Sequence, residues 1–121
     1  MEGIAPRRAR LEGLGIPTAM MCSSGTLPYA KDNYQMLIDG RKEEVFMIEL
    51  VDFGHNSVTD LPFVTPSQFN YAIDARLGLE TSVQIVRAFI DAYLGAEDGF
   101  LESTNALDNV VVTEHPAPAM Q

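Results

Sequence analysis

Positive charge is scarce in this chain: eight Lys and Arg stand against seventeen Asp and Glu, for a formal charge of −9 at pH 7. A phosphate backbone is held by clustered Lys and Arg, and here the basic residues are scattered apart from Arg7, Arg8 and Arg10, so nucleic acid is not an expected partner. Cysteine occurs once, as Cys22; this excludes an internal disulfide framework and fits a reducing compartment. No apolar run approaches the roughly 20 residues of a membrane helix, and the first ten residues lack a signal-peptide core. The expectation is a soluble, cytoplasmic chain without a membrane span. Two histidines, His55 and His115, and one cysteine lie far apart in sequence and give no metal-ligand spacing. There is no glycine-rich phosphate loop, so neither metal nor cofactor is expected. No Gly-x-Ser-x-Gly occurs either, and that is the usual setting of a serine nucleophile.

What is present is globular. The 121 residues, 46% hydrophobic and 21% charged, suffice for one domain with one core. Residues 1–13 read as a polar, basic lead-in, and Leu11 to Gly15 as the last turn of a helix begun upstream. Ile16 to Cys22 and Val45 to Val51 are continuous apolar runs, the signature of strands buried on both faces of a parallel sheet. Between them Tyr34, Leu37 and Ile38 give a helical spacing over Lys31 to Asp39, with Gly40 as the stop. Thr65-Pro66-Ser67-Gln68 has the pattern of a helix start, continued by Phe69, Ala72, Ile73, Arg76 and Leu77 as far as Gly78. A second helix follows, with Leu79, Val83, Val86, Ile90, Tyr93 and Leu94 on the face expected to pack inward and Gly95 at its end. Residues 96–121 turn polar and read as an extended tail in which Val110-Val111-Val112 either pairs as a short edge strand or stays unpaired. His115 in that tail reads as a surface histidine, and Met20, Met21, Met36 and Met47 as core filler.

Gly54-His55-Asn56-Ser57-Val58-Thr59-Asp60-Leu61-Pro62 directly follows the second strand, which places His55 in a loop at a strand's carboxyl end, where open α/β sheets keep their chemistry. As a general base, its imidazole would take a proton from a hydroxyl and return it to a leaving group. The plainer alternative is a loop histidine bonded to backbone or to Asp60. Met21-Cys22-Ser23-Ser24-Gly25 also follows a strand, which makes Ser23 a candidate nucleophile. Against this stand Met21, where a tight elbow favours a small residue, and Thr26-Leu27-Pro28, where a helix should start. Cys22, at the end of a buried run, reads as a packed thiol rather than a thiolate nucleophile.

From about Leu14 to Leu94 the chain resembles the carboxyl-terminal third of an α/β-hydrolase, of the dienelactone hydrolase-like and platelet-activating-factor acetylhydrolase-like sort. The resemblance rests on the two strands, the turn Ser24-Gly25, the loop Gly54 to Pro62, and the closing helix ending Arg87-Ala88-Phe89-Ile90-Asp91-Ala92-Tyr93-Leu94. It implies that His55 is the triad histidine of a serine-dependent, ester-type hydrolase. The triad acid should follow Gly25 closely. Thr26-Leu27-Pro28 stands there instead, and the first carboxylate is Asp32, which serves as the acid if its loop folds back or else caps a helix beginning near Asn33. Asp52 is too near His55 along the chain to orient it comfortably.

The expected architecture is α/β: a partial three-layer α/β/α unit spanning 14–95, with two or three mainly parallel strands and about three helices. So small a sheet leaves open edges and apolar surface. The chain is therefore expected to be a truncated or partial hydrolase-like protein, inactive alone, acting on a small ester-like substrate only as part of a complete enzyme. The alternative is a non-catalytic interaction or dimerisation module. Either way, a homo-oligomer or a partner chain is expected.

Overall fold

The computed structural model describes residues 15–55, 57, 61–64, 74–95 and 99–119. The lead-in 1–13, the helix start at Thr65-Pro66-Ser67-Gln68 and Asp60 lie outside the described residues. The elements run in the order β1 (Thr18–Ser23), α1 (Leu27–Asp39), β2 (Val45–Leu50), α2 (Leu61–Val64), α3 (Ala75–Leu94), α4 (Phe100–Asn105) and β3 (Val110–His115). The described strands form one sheet in the order β1-β2-β3. β1 and β2 are parallel, with Thr18 opposite Val45 and Ser23 opposite Leu50. β3 is antiparallel to β2, Leu50 facing Val110 and Val45 facing His115. The sheet is thus mixed rather than mainly parallel. A parallel neighbour to β2 needs a crossover, and α1 supplies one between β1 and β2; β3 returns in the opposite direction.

Alternation along the strands sorts the side chains onto two faces. Met20, Cys22 and Val45 pack with Ala30, Tyr34, Leu37 and Ile38 of α1 on one face. On the other, Phe46, Ile48, Leu50, Val110 and Val112 pack against Ile85 of α3 and Phe100 of α4, with Ala88, Phe89 and Ala92 beside them. The ring of Phe100 meets Phe46 edge-on at 4.9 Å and Phe89 at 5.4 Å, geometries that the ring quadrupoles favour. Helices on both faces make a small three-layer unit.

Several elements differ from the sequence expectation. α1 begins at Leu27, with Pro28 in its first turn, where a missing N–H costs nothing and the fixed φ suits a helix. Proline therefore opens this helix rather than delaying it to Lys31, and Asp32 lies inside α1 and does not cap it. α3 passes through Gly78 without a break, starting at an Asp74 cap whose carboxylate accepts from the N–H groups of Arg76 and Leu77. The stretch read as a tail contributes α4 and β3, so the paired alternative for Val110-Val111-Val112 is the one adopted. His115 pairs with Val45 at the end of β3 and is half-buried.

The largest difference concerns which face of α3 is buried. The inward residues are Gly78, Thr81, Ser82 and Ile85, followed by the partly buried Ala88, Phe89 and Ala92. Val83, Val86 and Ile90, expected in the core, are 49%, 45% and 48% exposed. The sheet takes the face that carries Ile85, Ala88, Phe89 and Ala92, and Val83, Val86 and Ile90 are left outside.

Candidate functional site

The carboxyl ends of β1 and β2 converge on one set of turns. After β1, the Ser24 N–H donates to the carbonyl of Leu50 at 3.0 Å and the Gly25 N–H to that of Phe53 at 3.3 Å. In return the Asp52 N–H donates to Ser24 Oγ at 2.9 Å. Asp52 has φ +67°, a left-handed conformation that Asp tolerates better than most residues. These bonds tie the Ser23–Gly25 turn to the segment leading into His55.

His55 itself is exposed, in a turn closed from both sides. The Gly54 N–H donates to Ser57 Oγ at 2.9 Å, and the Ser57 N–H donates back to the Gly54 carbonyl at 3.1 Å. Ser57 is buried at 2% exposure, so its hydroxyl serves as an internal clamp. From behind, α3 presses its Gly78 against the Ser57 backbone. The result is an exposed His55 on a short turn whose base is fixed in the core by Ser57.

The other candidates are placed as follows. Ser23 is buried at 1% exposure. Its hydroxyl donates to Thr26 Oγ1 at 2.9 Å and accepts from the Thr26 N–H at 3.3 Å, so it tightens the turn into α1. Strand, turn and helix do follow one another here, but Ser23 is not among the described residues with positive φ, the strained conformation an elbow would suggest. Cys22 is fully buried in the core beneath α1, and its thiol donates to the Ser23 carbonyl at 3.6 Å. Asp32 is exposed on α1. Asp52 is exposed too. The structure therefore brings the Ser23–Gly25 turn and the His55 turn to one end of the sheet, with Asp32 on the helix that leaves it. No group of three or more His, Cys, Asp or Glu residues able to hold a metal occurs among the described residues.

Sequence reasoning gave Ser24, Ser57 and Gly78 no contact at the site. The pair Gly54 and Ser57, three apart with a hydroxyl at the second position, is the legible signal of a side-chain-closed turn. Nothing in the sequence marks Gly78 as a contact rather than a helix stop.

Grooves also lie away from this end. One, of about 240 Å³, runs between α1 and β3 and includes Lys31, Tyr34, Met47, Glu49, Val111 and His115. Another, of about 360 Å³, follows the outer face of α3. No described helix is long and apolar enough to cross a membrane. Comparison with protein-family models, curated proteins and solved structures finds no match to this chain.

Proposed function

We propose that this chain is the carboxyl-terminal part of a hydrolase-type catalytic unit in which His55 is the general base. The single observation that carries this is the position of His55: exposed, at the carboxyl end of the central strand, on a turn clamped by Ser57 and bonded through Phe53 to the turn that ends the neighbouring parallel strand. In the reaction, a serine hydroxyl supplied by a segment upstream attacks the carbonyl carbon of an ester-like substrate while His55 accepts its proton. The tetrahedral intermediate collapses to an acyl-enzyme, and His55 returns the proton to the leaving alcohol. Water then repeats the sequence and releases the acid. No cofactor is required.

A base without a positioned nucleophile and oxyanion donors lacks most of the transition-state stabilisation. The isolated chain is therefore expected to hydrolyse an activated acyl ester no faster than its own His55→Ala variant. A His55-dependent burst would move the nucleophile to Ser23 or Cys22. The decisive observation is the coding sequence immediately upstream of Met1: an in-frame Gly-x-Ser-x-Gly supports the hydrolase unit, and its absence overturns it. A second reading, a non-catalytic interaction module, is favoured by the exposed apolar face of α3.

A further inference from the structure

We infer that the outer face of α3 is a self-association surface, on which a second copy of this chain packs its own α3 antiparallel about a two-fold axis. The inference goes beyond the hydrolase proposal and does not rest on it.

Leu79, Val83, Val86 and Ile90 are spaced four, three and four residues apart. That is the seam spacing of paired helices, in which knobs from one helix enter holes on the other. The seam is about 16 Å long at 1.5 Å per residue. Val83, Val86 and Ile90 are each close to half exposed, although the sheet-facing side of the same helix is fully used by Ile85, Phe89 and their neighbours. Between these two faces an apolar cleft of about 180 Å³ opens beside β1, floored by Ala19, Met21 and Ile85. Apolar surface thus continues from the seam toward the open edge of the sheet. Contiguous patches of this kind are uncommon on soluble monomers.

The charges name the occupant. Glu80 and Arg87 stand seven residues apart and so share one flank of the seam. Glu80 is held on that flank by Arg76, whose Nε lies 2.9 Å from its carboxylate. A parallel copy would set this flank against the other flank of its partner, where Ser82 and Phe89 stand, so no charge pair would form across the seam. An antiparallel copy sets Glu80 of one protomer opposite Arg87 of its partner, and the two-fold axis repeats the pair. Although the chain carries −9 overall, this surface is locally balanced by Arg76 and Arg87 against Glu80 and Asp91, so a second copy is not repelled there. The same lack of a basic cluster disfavours an anionic membrane as the occupant. Because Gly78, near the start of α3, adjoins Ser57, antiparallel pairing carries the two His55 turns to opposite ends of the dimer.

The test is sedimentation of the full chain at tens of micromolar and low salt, with circular dichroism as the control for folding. Wild type is expected to be a dimer, and Val86→Lys a folded monomer. Glu80→Arg or Arg87→Glu alone should weaken the dimer about tenfold. The double variant, with both charges exchanged, should recover it, while His55→Ala leaves it unchanged. A monomeric wild type, or a dimer indifferent to Val86→Lys and to both charge reversals, overturns the inference.

Discussion

Gly78 stands against the backbone of Ser57 so closely that a Cβ at position 78 would lie 2.6 Å from the Ser57 carbonyl oxygen. This contact couples the long helix to the turn that carries His55. Gly78→Ala gains about 1 kcal/mol of helix propensity but must displace backbone on one side or the other, and overpacking of this kind costs about 1–3 kcal/mol. The expected outcome is a net loss of stability in thermal unfolding, together with a shift of the His55 imidazole resonances. An unchanged melting temperature with unchanged His55 signals would show that the turn is not braced by α3.

The two faces of α3 should respond oppositely to substitution. Ile85 is 1% exposed and packs beneath the sheet, so Ile85→Ala is expected to cost about 2–5 kcal/mol. Ile90→Asp, at a half-exposed position, should cost less than about 1 kcal/mol of monomer stability. Denaturant unfolding of both variants at low protein concentration checks this; a larger loss for Ile90→Asp would reverse the assignment of faces.

Tyr93 is expected to titrate well above the ordinary tyrosine value. Burial raises its pKa first, and the hydrogen bond that its hydroxyl donates to Glu44 raises it further, because ionisation would break that bond and set two negative charges together. The sign follows from linkage. A folded-state pKa above the unfolded value near 10 favours the neutral phenol in the fold. Its contribution is complete below about pH 10 and is lost as pH rises toward the folded value. Tyr93→Phe should therefore flatten the alkaline decline in stability, and the ultraviolet tyrosinate signal should show one group resisting ionisation until unfolding. A signal in which all tyrosines ionise together before unfolding would contradict this.

Much of the fold was legible in the sequence where local chemistry is strong. The apolar runs around Met20 and Ile48 are strands, Gly40 and Gly95 end their helices, and Val110-Val111-Val112 pairs at an edge. What was misread depended on packing. Pro28 looked like an obstacle to a helix but occupies its first turn, where proline fits. Gly78 looked like a stop but is the residue that allows close approach to Ser57. The apolar stripe of α3 looked like core, yet the sheet packs against Ile85, Ala88, Phe89 and Ala92, because periodicity does not say which of two apolar faces wins. α4 escaped notice because Phe100–Asn105 is short and mostly polar, and its main apolar anchor is Phe100, set among the rings of Phe46 and Phe89. At the candidate site, His55 was visible from its place after a strand, while the clamp formed by Gly54 and Ser57 needed the turn geometry.

The pairing of β3 with β2 also sets an order of events in folding. β1 and β2 are joined through one helix, whereas Leu50 must find Val110 and Val45 must find His115 across most of the remaining chain. Lengthening a loop costs little in equilibrium free energy, about 0.6 kcal/mol for each doubling, but contacts between distant positions form slowly. At β2 the arrival of β3 is marked by Asn109, in a left-handed conformation at φ +61°, whose carbonyl accepts from the Val51 N–H at 2.8 Å and whose side-chain amide donates to the Val51 carbonyl at 3.3 Å. Until that clasp closes, the edge of β2 that β3 will occupy is unpaired. In synthesis from the amino terminus β3 emerges after the other described elements, so until it docks the unpaired edge of β2 is open to mispairing with neighbouring chains.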